Sequence, residues 1–231
     1  MSKKSALLIK HSTTWSGDRC SAWFDDMGYR LEWCFPADGQ QLPDPRSFDA
    51  AVVFGGRNSV NDNEAWIKAE HQWLESCLKT ECRFLGICFG GQLLAKVLGA
   101  SVSKHPKGLK EVGFHEIRPV PAANELLPSP MCLFQWHGDG FDIPASATRL
   151  GTGDRFPNQA FRYGDRAIGV QFHPEVNHTV ATQWFGQNED FESEFLDPAS
   201  RKGHLQQALD TDAQIDHWFG KFMTNWLHST Q

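Results

Sequence analysis

Over its first hundred residues the chain alternates short apolar runs with helical patterns, and that alternation leaves few folds open. The runs are "ALLI" at 6–9, "YRLEWCF" at 29–35, "FDAAVVFGG" at 48–56 and "CRFLGIC" at 82–88. Between them lie "GDRCSAWFDDMG" at 17–28 and "NDNEAWIKAEHQWLESCLKT" at 61–80, and "GGQLLAKVLGA" follows at 90–100. In the 61–80 segment Trp66, Ile67, Glu70, Trp73, Leu74 and Leu78 recur at three-and-four spacing, with Asn61 or Asp62 as the cap. Strands that alternate with helices are joined by crossovers, and crossovers imply parallel pairing. From about 101 to 172 the pattern shifts to shorter strands and turns, among them "LFQWH" (133–137), "NQAFRYG" (158–164) and "AIGVQFH" (167–173). The part from about 177 onward reads as helical. Its last helix, about 211–228, places Ile215, Trp218, Phe219, Phe222, Met223, Trp226 and Leu227 on one face. That stripe predicts docking on the domain, with a homodimer interface as the alternative. The expected fold is α/β and three-layered: a mixed, mostly parallel central sheet with helices on both faces, in one domain over 1–231.

Composition narrows the partners. Forty per cent hydrophobic residues and nine Trp suffice for a sizeable core, and the net charge of −6 is spread without long runs. A nucleic-acid surface wants a clustered basic face, so no nucleic-acid partner is expected. The opening "MSKKSALLIKHSTTW" holds only the apolar run Ala6 to Ile9, where a secretory leader needs roughly 7–15 apolar residues and a membrane span about 20. The expectation is a cytoplasmic chain without membrane attachment, its six cysteines present as free thiols. No CxxC pair and no zinc-type spacing occurs, so no structural metal is expected.

Cys88 stands out by its setting. "GICFG", Gly86 to Gly90, joins an apolar strand to a helical pattern with the spacing of a G-x-S-x-G nucleophile elbow. The turn demands small residues on either side of the nucleophile, and Gly86 and Gly90 meet that demand. A helix starting just beyond aims its free N–H groups and positive dipole end at the sulfur. The backbone N–H of Phe89 is placed to donate to a developing oxyanion. A buried structural Cys in a strand-to-helix turn is the plainer alternative, because a thiol at an elbow still needs a base.

"GVQFHPEV" (169–176) supplies a candidate base, His173, and an orienting carboxylate, Glu175, beyond Pro174. If the strand continues through them, its alternation sets residues 173 and 175 on one side. Cys88 and His173 then both close predicted strands, at the edge where ligands bind in open α/β sheets. A second pair, His137 and Asp139 in "QWHGDGF", reads as structural or pocket-lining, in a loop with Gly on either side of Asp139, with a second acid–base dyad as the alternative.

"VVFGGRNSVND", "GICFGGQLLA" and "QFHPEV", in that order, resemble the class I, triad-type glutamine amidotransferases, and most of all their stand-alone GMP-synthase-like branch. The resemblance covers roughly residues 45 to 176, and "KEVGFHEI" and "FQWHGDGFDIP" also resemble segments of that branch. It implies Cys88 as nucleophile, His173 as general base and acid, and Glu175 as the residue orienting the imidazole. Gly56 and Phe89 would supply the oxyanion hole, and Gln92 would lie by the substrate. The implied reaction converts glutamine to glutamate and ammonia through a γ-glutamyl thioester, with no cofactor. Two positions depart from the pattern: Arg57 follows Gly55-Gly56 where the family often has Pro, and the bulky Trp136 precedes His137. The first leaves the loop less rigid; the second reshapes the subsite for the α-amino and carboxylate groups. The chain has no GxxxxGK[ST] and no strand-borne GxGxxG, so the ammonia of the implied reaction would either pass to a separate ammonia-accepting synthetase or simply be released. A γ-glutamyl peptidase acting on peptides or conjugates, and a catalytically silent regulatory subunit, are the alternative functions.

Overall fold

A computed structural model of the chain describes residues 3–123, 126–186 and 198–228. Its strands are β1 (Ser5–Ile9), β2 (Arg30–Cys34), β3 (Ala50–Val53), β4 (Arg83–Ile87), β5 (Val102–Lys104), β6 (Glu111–Pro119), β7 (Met131–His137), β8 (Asp139–Phe141), β9 (Thr148–Thr152), β10 (Ala160–Tyr163) and β11 (Ala167–Val170). The helices are α1 (Arg19–Asp26), α2 (Ala65–Cys77), α3 (Phe89–Val97), α4 (His178–Gly186) and α5 (Pro198–His228). Among the described residues, nine strands form one sheet in the order β2-β1-β3-β4-β11-β10-β9-β6-β7, and β5 pairs with β8 apart from it. From β2 to β11 along that order every pairing is parallel, and beyond β11 every pairing is antiparallel.

The central parallel strands are apolar at nearly every position because both of their faces are covered. Alternation sorts their side chains into two cores. Ala6, Leu8, Val52 and Leu85 pack with Phe24 of α1 and the apolar stripe of α5. Leu7, Ile9, Val53 and Phe84 pack with Trp73 and Leu74 of α2 and Leu93 and Leu94 of α3. The result is the expected three-layer arrangement.

Two local expectations need correction. The helix expected over 61–80 spans Ala65–Cys77 with Glu64 at its N-cap. Asn61 and Asp62 are occupied in the preceding turn, where Asp62 accepts from the Ser59 N–H at 3.0 Å and Asn61 donates to the Val102 carbonyl at 2.8 Å. The last helix begins at Pro198, well before the expected 211. Its first half packs Ala208 and Leu205 into a small cluster with Val180 and Phe185 of α4 and Phe134 of β7, through few apolar residues, so it lacks the wide stripe that marks its second half. Part of the helical segment expected from about 177, residues 187–197, lies outside the described residues. Finally, Ile215, Trp218, Phe219, Phe222, Met223, Trp226 and Leu227 are all buried in the chain's own core, so the stripe docks on the domain as expected and the alternative of a dimer face falls.

Register brings the site together. Val53 pairs with Gly86, and Ile87 with Val170, so β3, β4 and β11 end side by side. The segments after them carry Gly55 and Gly56, Cys88, and His173 to the same sheet edge.

Candidate active site

Cys88 has φ 50° and ψ −102°, the only non-glycine positive φ among the described residues. Such a conformation costs about 1–3 kcal/mol and persists only where the surroundings over-determine it. Here the surroundings are explicit. Cys88 N–H donates to the Val170 carbonyl at 2.8 Å, and Gln92 N–H donates to the Cys88 carbonyl at 2.9 Å. A Cβ on Gly86 would stand 2.3 Å from the Gly90 carbonyl oxygen, and one on Gly90 2.2 Å from that of Val53. The glycines therefore let α3 sit directly on the strand ends. Phe89 is the first helical residue, so its N–H has no partner within the helix.

His173 Nδ1 lies 2.8 Å from Glu175 Oε1, with both side chains buried. A carboxylate accepts, so Nδ1–H donates and Nε2 is left for the nucleophile's side. Nε2 is buried and makes no hydrogen bond of ordinary geometry among the described residues. The two residues do not continue a strand as expected: β11 ends at Val170, and 173–175 form a turn. The turn is held from outside. His173 N–H donates to the Phe134 carbonyl at 2.8 Å, and Arg19 N–H donates to the Glu175 carbonyl at 3.0 Å. The Arg19 guanidinium reaches the carbonyls of Pro174 (3.1 Å) and Val176 (2.6 Å) and is itself paired with Asp212 and Asp216 of α5. Trp184 stands edge-on to the imidazole at 5.1 Å.

Burial alone would pull His173 down, but the charges of Glu175 and Cys88 outweigh it and raise the imidazole from 6.5 to about 10. His173 is therefore protonated at neutral pH. A folded value above the unfolded one means stabilisation that is complete below about 6.5 and lost as pH rises through about 10. Urea midpoints of the wild type are expected to fall between pH 6.5 and 10 more steeply than those of His173→Gln. Parallel pH profiles would refute the assignment.

A cavity of about 640 Å³ opens over Cys88 and His173. Gly56, Gln92, Trp136 and His137 line it, with Arg57, Lys104 and Lys110 at its mouth. Gln92 donates to the Asp139 carbonyl (3.1 Å) and to Gln171 Oε1 (3.2 Å), and Gln171 donates to Cys88 Sγ at 3.6 Å. Trp136 is half-buried and stacked on Phe185, ring centres 5.4 Å apart. His137 and Asp139 form no second acid–base pair. His137 uses Nδ1 on the Asp139 backbone carbonyl (2.8 Å) and Nε2 on Glu111 (3.1 Å), while the Asp139 carboxylate accepts from Ser59 Oγ at 2.8 Å. Burial works against the charge on Glu111, but hydrogen bonds from His137 and Gln159 outweigh it and hold its pKa below the ordinary value. Asp139 also begins the short strand β8 rather than lying in a loop.

Sequence reasoning missed His11, Arg19, Gln171 and Trp184. One signal was available for His11: its partner Glu70 sits at an apolar position of α2, a carboxylate on a buried face. All six cysteines are free thiols. Among the described residues, no cluster of three or more His, Cys, Asp or Glu could hold a metal, and no helix is long and apolar enough to cross a membrane.

The model of the glutamine amidotransferase class-I family matches residues 32–189. The glutamine amidotransferase-like protein YfeJ of Salmonella typhimurium is 30% identical over 179 residues, covering 73% of this chain and 74% of that protein. Gamma-glutamyl peptidase 5 of Arabidopsis thaliana is 28% identical over 154 residues, covering 62% of this chain and 61% of its own length. The crystal structure of a glutamine amidotransferase from Thermotoga maritima superposes with a TM-score of 0.90 at 30% identity, over 99% of this chain and 100% of that one.

Proposed function

This chain belongs to the class-I glutamine amidotransferase family, and from that premise we propose that it hydrolyses the γ-amide of glutamine at Cys88, with His173 and Glu175. The observation that carries the proposal is the strained elbow placing Cys88 beside an imidazole that Glu175 holds at 2.8 Å. With the proton on His173, the sulfur attacks as thiolate. A C–S bond forms at the γ-carbonyl, and the carbonyl electrons move onto oxygen, where Phe89 and Gly56 N–H groups meet them. His173 then gives its proton to the departing nitrogen, the C–N bond breaks and ammonia leaves. Water, deprotonated by His173, attacks the thioester; the C–S bond breaks and glutamate is released. Glu175 keeps Nδ1–H engaged throughout, so only Nε2 exchanges protons with the reacting atoms. Gln92 and His137 line the substrate pocket, and the ammonia passes to a separate synthetase.

One feature favours a second reading. The cavity of about 640 Å³ is lined by Trp136, Lys104 and Lys110 as well as Cys88, more room than glutamine alone requires. The same thioester chemistry would then release an amine or peptide from a γ-glutamyl conjugate, the activity named for the Arabidopsis relative.

Intact-mass and peptide analysis after mixing with glutamine or with γ-glutamyl peptides is expected to find the γ-glutamyl group on Cys88. No adduct and no glutamate from any of these substrates would sink the proposal. Trp136 decides between the two readings through pocket shape. Trp136→Ser is expected to shift the ratio of kcat/KM for glutamine over the conjugate by about tenfold toward glutamine, the scale of one reshaped apolar contact. An unchanged ratio would remove Trp136 from the specificity argument.

A further inference from the structure

Nothing in the sequence of the Gly55-Gly56-Arg57 loop fixes its backbone, since two glycines precede an exposed arginine. A neighbour does. His11, just beyond β1, packs against the rings of Trp66 (5.0 Å) and Phe89 (4.6 Å), and its side chain is 3% exposed. Its Nε2 is 3.0 Å from Oε2 of the fully buried Glu70, and its Nδ1 is 3.3 Å from the Gly55 carbonyl oxygen. A carbonyl only accepts, so Nδ1 carries hydrogen. Nε2 and Glu70 share a proton on either of their atoms without disturbing that donor. Glu70 thereby fixes both the ring and the hydrogen it presents.

The consequence falls on the next atom of the chain. In a trans peptide the C=O and the following N–H point in opposite directions, and the described residues contain no cis bond. With the Gly55 carbonyl turned to His11, the Gly56 N–H is turned away, and it donates to no acceptor among the described residues. The loop also touches the reacting pair: a Cβ on Gly55 would stand 2.6 Å from His173 Cε1 and 3.5 Å from Cys88 Cβ.

We propose that His11, held by Glu70, is a positioning residue that keeps the Gly55–Gly56 peptide oriented with its N–H available to the oxyanion formed at Cys88. The proposal rests on the acyl-transfer reading above. Without this hydrogen bond the diglycine peptide is free to turn over and present a carbonyl oxygen where a donor is needed, which repels the developing charge.

The test compares two reactions of the full chain at Cys88. Iodoacetamide alkylates the sulfur without forming an oxyanion; p-nitrophenyl acetate acylates it through one, releasing p-nitrophenolate. The variants are His11→Phe/Glu70→Leu, which removes both polar partners so that no carboxylate is stranded, and His11→Asn, whose amide can still donate to the Gly55 carbonyl. In the double variant acylation is expected to slow at least about tenfold, below the roughly 10²–10³ ascribed to a whole oxyanion donor. Alkylation is expected to stay within about twofold. His11→Asn is expected to recover most of the acylation rate. If the double variant does not fold, His11→Phe alone carries the same comparison. Equal acylation in wild type and variant, a parallel fall in both reactions, an unrescued His11→Asn, or a wild type that the ester fails to acylate would each overturn the proposal. A wild type acylated by the ester yet inert toward every γ-glutamyl amide would sink the substrate reading alone and leave the His11 comparison in force.

Discussion

Cys88→Ala is expected to abolish glutamate formation, lowering kcat by roughly 10⁶-fold, the scale seen when a covalent nucleophile is removed. The fold is expected to survive. The residue is 5% exposed in a turn held by backbone hydrogen bonds, and its sulfur accepts a long hydrogen bond of 3.6 Å from Gln171. Alanine keeps the Cβ and inherits the same positive φ, so the strain of the elbow is unchanged. The measurement is coupled detection of glutamate, with circular dichroism and melting to verify the fold. Activity that persists in a folded Cys88→Ala protein would move the nucleophile elsewhere and with it the roles given to His173 and Glu175.

Gly90→Ala is expected to act on the fold itself. The added methyl would stand 2.2 Å from the Val53 carbonyl oxygen and 2.9 Å from its carbon. Both belong to the backbone of a central strand, so neither can swing aside. Either α3 lifts from the sheet or β3 shifts, and the expected cost is about 3–5 kcal/mol, at the diagnostic end of point-mutation effects. For a chain of this size that corresponds to a fall in Tm of about 6–20 °C. Gly203→Ala is the matched control, because nothing lies within 4 Å of a Cβ there and the residue is exposed on α5. Alanine in an exposed helix interior stabilises by roughly 0.5–1 kcal/mol. A Gly90→Ala protein melting with the wild type would refute the close contact between α3 and β3.

Legibility followed the range of the forces involved. β1, β3, β4 and the start of α3 were readable because a strand buried on both faces writes itself as an unbroken apolar run. The elbow was readable because steric exclusion of a Cβ is written as glycine. β6 was not delimited: in "EVGFHEIRP" several side chains are only half-buried, so no clean apolar run marks it. The early turns of α5 were missed because they pack on α4 through few apolar residues. At the site, the facing of His173 and Glu175 was anticipated, but by the wrong route, since a turn and not strand alternation joins them. His11 with Glu70, and Arg19 with the 174–176 carbonyls, join residues far apart in the chain. No local pattern encodes such pairs; only the closed sheet makes them neighbours.

Arg19 gives this last point a temporal side. The turn bearing His173 and Glu175 is tied through Arg19 to Asp212 and Asp216, so its full set of anchors comes from both ends of the chain. A polypeptide still emerging from the ribosome has made Cys88, His173 and Glu175 well before it has made the last helix. Until α5 docks, the guanidinium lacks its acidic counterweights, and the turn is held by its backbone bonds to Phe134 and Arg19 without them. Order of synthesis therefore places completion of this frame after α5 has been made.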